Sequence, residues 1–376
     1  MSKAIYLDYN STTPVDPRVL DSMLPYFIEK FGNAASNSHP FGWEADEAVH
    51  MSREQVAGLI GAKPKEITFT SGATEAINLA IKGLDQTGHI LTCSTEHKAV
   101  LDVMESMKKT GNEVTYLPAR SDGLIDLESL EKSIQEDTFL ICIMHANNET
   151  GIIQSMKKIG AMAKERGILF MSDATQSVGK IPVNVNELGV DLMTFSSHKM
   201  YGPKGMGALY VRSKNPKVEI HAQIEGGGHE RGMRSGTLNI PGIVGFGKAC
   251  EICGEQQTED SAKLRRLRDK LESELIQIEG TTINGSRDSR LPHVSSISFS
   301  GVNGEKLLLS LKDISVSNGS ACTSAITKPS HVLISMGISE ALTYSSIRFS
   351  LGRFTTEEEI DFAIKKVKEV VTRLRK

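Results

Sequence analysis

From residue 66 to residue 211 the chain repeats one pattern: a short apolar run, a polar break with small residues, then a stretch with apolar positions three and four apart. The apolar runs predict strands at 66–70, 89–94, 114–117, 139–145, 169–172, 192–195 and 208–211, mostly alternating with helices. That alternation gives a largely parallel sheet with helices on both faces, so the expected class is α/β with seven strands in one layer. Upstream, 5–14 is an extended segment that breaks at a polar turn, 17–29 reads as a helix, 32–39 as a polar loop and 43–60 as a long helix. After Asn239-Ile240-Pro241 the pattern changes to a helical, then strongly charged region from Gly242 to Gly280, with Leu264, Leu267, Leu271 and Leu275 at helical spacing. Strands at 294–299 and 347–351, a helix at 304–311 and a closing helix behind a Thr356/Glu359 capping box complete a smaller α+β part. The expected division is a large domain at 15–255 and a small domain made of 1–14 and 256–376.

A chain of 376 residues has room for both cores. Its net charge of -3 and pI near 6.4 give no basic surface, so nucleic-acid or anionic-membrane binding has no electrostatic support and small molecules or proteins are the expected partners. No apolar run reaches the length of a membrane span, and Met1-Ser2-Lys3-Ala4-Ile5 leads into a strand-like segment instead of a signal peptide, which places the expected location in the cytoplasm. Cys93, Cys142, Cys250, Cys253 and Cys322 are an odd number in such a chain, the mark of reduced thiols.

Candidate chemistry sits just past the strand ends. The run from Leu192 to Lys199 reads as a strand that turns to hold Ser196, His198 and Lys199 together. An amine at a strand's carboxyl end, beside hydroxyl and imidazole groups that suit a phosphate, is placed to form a Schiff base with a carbonyl cofactor; a solvated loop lysine fits the same residues. Thr70-Ser71-Gly72-Ala73-Thr74-Glu75 ends a strand and starts a helix, where free N–H groups favour an anion, although an ordinary capped connection reads alike. Asp173 can pair with a protonated pyridine nitrogen, with Gln176 reaching the phenolic oxygen of that ring, or it can simply cap a helix. His97 can stack on a planar cofactor and move protons, and Asn148 can hydrogen-bond cofactor or substrate; singly, each also fits a structural role. Together these residues fall beyond successive strand ends, where a doubly wound sheet gathers its ligand groups.

Arg348, in an apolar strand of the second domain, suits either bidentate capture of a carboxylate or a surface ion pair. Cys322 lies among small polar residues at 317–325, a composition that predicts an exposed, mobile loop with a reactive thiol. Three other motifs carry less. Gly242 to Ala249 nearly spells a P-loop but lacks the final Ser/Thr and a preceding strand, Cys250-Glu251-Ile252-Cys253 lacks a second ligand pair, and Gly226 to Gly232 lacks dinucleotide-site spacing. No metal site is expected.

The motifs TSGATE at 70–75, TEHKAVLD at 95–102, NNETG at 147–151, DATQSVGK at 173–180, SSHKMYGPKG at 196–205, GGGHERGMRSGTLN at 226–239 and GSACTSA at 319–325 resemble the pyridoxal-phosphate-dependent cysteine desulfurases of the IscS/NifS type. The resemblance runs over nearly the whole chain. It implies a fold-type I homodimer with pyridoxal 5'-phosphate carried on Lys199, the phosphate held by Ala73, Thr74, Ser196 and His198, and Thr237 reaching the phosphate of the other subunit. It further implies Asp173 on the pyridinium nitrogen, Gln176 and Asn148 on the ring-oxygen side, His97 stacked on the ring and sharing proton transfer with Lys199, and Arg348 with Asn148 binding the substrate. The implied reaction takes sulfur from L-cysteine onto Cys322 as a persulfide, releases L-alanine, and supplies iron–sulfur cluster assembly or another sulfur acceptor.

Ser197 and Ala76 depart from the family's usual glycine and serine, and the resemblance puts both beside the phosphate site. The sequence ends at Lys376, whereas close relatives carry a further tail that helps dock an iron–sulfur scaffold protein, so the scaffold carries over without that tail. A selenocysteine lyase, a small-amino-acid aminotransferase and a non-catalytic sulfur-transfer scaffold are the alternatives. Transamination needs no thiol, and Lys199, Asp173 and Cys322 together argue against a scaffold.

Overall fold

The structure is a computed structural model that describes residues 4–318 and 329–376. Its strands are β1 (Ile5–Tyr6), β2 (Ile67–Thr70), β3 (His89–Cys93), β4 (Glu113–Leu117), β5 (Thr138–Cys142), β6 (Leu169–Asp173), β7 (Leu192–Ser196), β8 (Gly207–Val211), β9 (Thr281–Ile283), β10 (Val294–Phe299), β11 (Ile314–Ser315) and β12 (Ser346–Ser350). The expected seven-stranded sheet forms in the order β2-β8-β7-β6-β5-β3-β4. Only β8 runs against the rest, pairing antiparallel with β2 and β7, so the carboxyl ends of the other six strands share one edge.

Alternate residues of these strands feed two separate cores. Leu91, Ile141, Phe170, Met193, Phe195 and Tyr210 pack on one face, while Ile90, Leu140, Met171, Leu192, Leu209 and Val211 pack on the other. This is the period of two expected of a strand, with both faces covered by helices.

The stretch at 17–29 is two helices, Pro17–Met23 and Pro25–Ile28, because Pro25 has no N–H to continue the ladder. The change of pattern after residue 240 produces no break. A single helix of 36 residues, Ile240–Leu275, contributes Ile240, Ile243, Phe246, Cys250 and Cys253 to the large core and Leu264, Leu267, Leu271 and Leu275 to a further cluster. That cluster also holds Leu7, Ile297, Phe299, Ile347, Phe349 and the apolar stripe of the closing helix Glu357–Leu374, whose Thr356/Glu359 capping box is present.

The antiparallel sheet β12-β10-β9 lies in this second cluster, and β1 pairs in parallel with β11 beside it. The chain's first strand is therefore built into the packing of its last third. From there it crosses to the large sheet. Thr13 N–H and its hydroxyl both donate to the His198 main-chain oxygen at 3.0 Å, and Asp16 N–H donates to the Tyr201 oxygen at 2.9 Å.

Leu271 is fully buried where the long helix meets the small sheet. Leu271→Ala should cost about 2–5 kcal/mol, read as a lower urea midpoint, while Leu309→Ala, on a side chain 70 % exposed, should leave the midpoint unchanged.

Candidate active site

The shared edge of the large sheet opens into a cleft of about 700 Å³. Each wall follows from a strand end. Ala73 and Thr74 open the helix Ala73–Lys82 just after β2, so their N–H groups have no partner within the helix and face the cleft. His97 follows β3 and caps the helix Lys98–Lys109, its Nδ1 accepting from Ala99 N–H at 3.1 Å. Asn148 follows β5, Asp173 is the last residue of β6, and Gln176 lies one turn on. Ser196 ends β7, and a single 3₁₀ turn, Ser197–Lys199, presents His198 and Lys199.

Across from these strand ends stands Arg348 of β12. Its guanidinium is buried, donating to Asp8 Oδ1 at 2.6 Å, Ser11 Oγ at 2.8 Å and the Asn148 main-chain oxygen at 3.0 Å. The pairing with Asp8 is thus an enclosed one, not the surface ion pair that the sequence left open. All ten of the nominated residues just named line one cleft. Thr237 does not; it is exposed, in the segment that Arg234 anchors to Glu75 at 2.8 Å. Cys322 lies outside the described residues.

The class-V aminotransferase family matches residues 5–362. This chain belongs to that family. It is 54% identical to the cysteine desulfurase IscS of Pectobacterium carotovorum subsp. carotovorum (strain PC1), an alignment covering all of this chain and 94% of the relative. The IscS of Anaeromyxobacter sp. (strain K) is 53% identical with the same coverage. Among solved structures, a NifS-like protein superposes with a TM-score of 0.92 at 41% identity, over 99% of this chain and all of the other. SspA in complex with cysteine gives a TM-score of 0.81 at 38% identity, over 94% of this chain and all of the other.

Within this family fold, one residue that sequence reasoning missed organises the cleft. The Asn10 main-chain oxygen accepts from Lys199 Nζ at 2.6 Å and from Gln176 Nε2 at 3.1 Å. Its side-chain amide donates to the Asn148 oxygen at 2.9 Å, and its Oδ1 faces His293 Nε2 at 2.9 Å. Ser11 adds a second main-chain oxygen on Lys199 at 2.6 Å. Both residues lie in the polar turn after β1, and no local pattern could show that this turn reaches the large sheet.

Two departures from the family pattern prove to face inward. Ala76 packs in the core beneath its helix, and the fully buried Ser197 hydroxyl sits about 2.0 Å from where a Cβ on Gly202 would stand, so only glycine fits there. Neither side chain lines the cleft, although their chain neighbours Glu75, Ser196 and His198 do.

Burial sets the protonation around the site. It pushes the His198 imidazole down to about 4, with Lys199 and Lys204 acting the same way. It also lowers His97, where Asp173 opposes the shift and Lys199 and His331 add to it. The Glu96 carboxyl, enclosed behind the cleft with Oε1 accepting from Met144 N–H at 2.6 Å, is raised well above the usual range. The four cysteines among the described residues are all buried, and burial raises each thiol, Cys93 to about 11. They are poor nucleophiles.

His145, in the segment after β5, is held down to about 4 by burial, and its Nδ1 has no partner among the described residues. The folded chain keeps this ring neutral where the unfolded chain, with an ordinary imidazole at 6.5, takes up a proton. The resulting stabilisation is complete above that value and is lost as the pH falls towards 4. Between about pH 7.5 and pH 5 the loss is about 2 kcal/mol, and urea unfolding of His145→Gln should show a fall smaller by that amount. An unchanged pH dependence in the variant would remove the assignment.

Proposed function

We propose that this chain is a pyridoxal-phosphate-dependent cysteine desulfurase. The observation that carries the reading is the meeting of an amine, a carboxylate, a helix N-terminus and a guanidinium in one cleft, in a chain more than half identical to curated IscS enzymes. The donor set fits the cofactor. Buried Gln176 Oε1 and Thr175 Oγ1 have no partner among the described residues, and both residues line the cleft together with the anion-ready turn at Ala73–Thr74 and Lys199. When bound, pyridoxal phosphate supplies an electron sink that weakens bonds at the substrate's α and β carbons.

The chain's own residues supply the rest. Ala73, Thr74, Ser196 and His198 hold the phosphate. Asp173 holds the proton of the ring nitrogen; its Oδ1 is oriented by Thr175 N–H at 2.9 Å. Gln176 and Asn148 serve the ring-oxygen side, and His97 covers the ring. Arg348 binds the substrate carboxylate; its buried Nε has no hydrogen-bond partner among the described residues and gains one there. Lys199 anchors the cofactor and, released from it, moves the α proton. The Cys322 thiolate takes the substrate sulfur, so L-cysteine and one thiol give L-alanine and one persulfide, which passes to an acceptor such as an iron–sulfur scaffold protein. The burial of the four other cysteines supports Cys322 in that role.

The reading includes the division into a large domain at 15–255 and a small one at 1–14 and 256–376, supported by two hydrophobic clusters that share one long helix. It also includes a homodimer and a cytoplasmic location. No helix among the described residues is long and apolar enough to cross a membrane. Leu20, Leu24, Phe27, Ile28, Phe31, Phe41, Trp43 and Met51 are exposed apolar side chains within a short part of the chain, which a second copy would cover, with Thr237 exposed to reach its site. Sedimentation should show a dimer for the wild type and a monomer for the Phe27→Glu, Ile28→Glu double variant. A wild-type monomer would end this part of the reading.

With a reductant present, the wild type should release sulfide and alanine from L-cysteine. Cys322→Ala should keep the yellow cofactor and lose sulfide release, and Lys199→Ala should lose both activity and the cofactor's anchored absorbance. Sulfide release by Cys322→Ala at the wild-type rate would rule out the persulfide route.

A further inference from the structure

Three imidazoles line the cleft, and two of them have a task in the proposed reaction. The third, His331, has none. It opens the helix His331–Ser335, and that helix is fixed firmly. Ser330 caps it, accepting from Leu333 N–H at 3.1 Å, and shares a short hydrogen bond with the buried Glu149 carboxyl. Val332, Leu333 and Met336 pack against Ala119, and Ser335 Oγ contacts Ser94 Oγ at 2.5 Å.

The ring itself is held by one atom. His331 Nε2 lies 2.9 Å from the main-chain oxygen of Glu96. A carbonyl oxygen only accepts, so in the neutral ring Nε2 carries the proton and Nδ1 carries the lone pair. That Nδ1 makes no hydrogen bond to any described residue. In the other two imidazoles Nδ1 is engaged, by Ala99 N–H in His97 and by the Thr12 hydroxyl in His198, each at 3.1 Å. His331 is thus a ring of fixed tautomer with an open basic nitrogen, in a cleft it shares with His97, Lys98, Glu149 and Arg348.

Desulfuration consumes a thiol proton, because a thiolate and not a thiol forms the sulfur–sulfur bond. Several other groups on the walls are committed: Lys199 to the cofactor, Asp173 to the ring nitrogen, Glu75 to Arg234, and Glu149, raised by burial, to Ser330. Resting on the desulfurase reading, we propose that His331 Nδ1 is the base that deprotonates a thiol in the cleft. The S–H bond breaks, its electron pair stays on sulfur, and the proton moves to Nδ1, giving a thiolate and an imidazolium. The thiol belongs either to the substrate or to Cys322, and the chemistry at Nδ1 is the same.

The test compares wild type, His331→Gln and His331→Phe as holoenzymes. Glutamine can still donate to the Glu96 oxygen but offers no base. Alanine formation from L-cysteine should fall by about 10²-fold in both variants, the usual worth of a general base. If iodoacetamide alkylation of Cys322, followed by mass spectrometry, slows in parallel, the base serves the protein thiol. If alkylation is unchanged and turnover of L-selenocysteine, whose selenol is already ionised at neutral pH, is spared, the base serves the substrate thiol. The proposal is overturned if L-cysteine turnover by His331→Gln stays within about twofold of wild type, a loss far below general-base catalysis. It is equally overturned if both substrates slow together at an unchanged alkylation rate, the pattern of a packing defect. Absence of alanine in the wild type would instead end the desulfurase reading, and the alkylation rates alone would then decide for or against His331.

Discussion

The Lys199 amine is held by two main-chain oxygens from a turn 189 and 188 residues away in sequence, those of Asn10 and Ser11. A carbonyl pair of this kind binds an ammonium well but cannot take its proton, so it orients the amine without competing for it. The placement depends on both halves of the packing. β1 is fixed by β11 and by Leu7 in the cluster around the long helix, while residues 13–16 are hydrogen-bonded to 198–201 beside the large sheet. Arg348 is tied to the same turn through Asp8 and Ser11, so the guanidinium and the amine are referred to one short piece of backbone. Removing Asp8 would leave a buried guanidinium short of its counter-charge, which generally costs several kcal/mol.

The charge pattern of the cleft follows from burial acting unequally. Lys98, Lys199, Lys204 and Arg348 line it, while Glu149 is raised by enclosure and the imidazoles of His97 and His198 are depressed by it. The walls are therefore cationic where a phosphate and a carboxylate are expected, without imidazolium charges crowding the amine. Neutral rings keep lone pairs, which is what proton transfer near them requires. The four cysteines among the described residues are silenced by the same enclosure, which raises each thiol.

Much of this was legible in the chain. The seven strands and their parallel sense came from apolar runs alternating with helical stretches, and the residues past their ends from the rule that parallel strands deliver their carboxyl ends to one edge. Pro25 was a visible helix break that a run of helix-forming neighbours concealed. Asn10 was invisible for a different reason: its partners are fixed by packing between the chain's first strand and its last third, and local periodicity carries no such information. The tautomer of His331 is hidden in the same way, since it depends on a carbonyl oxygen 235 residues distant.

The long helix Ile240–Leu275 explains why the change of pattern after residue 240 has no matching break in the backbone. Its first turns serve the large core and its later turns the small one, so the sequence changes character as the helix passes from one environment to the other. A rigid rod joining two cores fixes their spacing better than a loop would. Arg353 sits near that joint with Asp16, Asp260 and the ring of Tyr201 around it, and Tyr201 is two residues along from Lys199. The position of Lys199 is thereby tied to both cores through buried ion pairs as well as through the Asn10 turn, and a cleft whose opposite walls belong to different cores keeps a defined width.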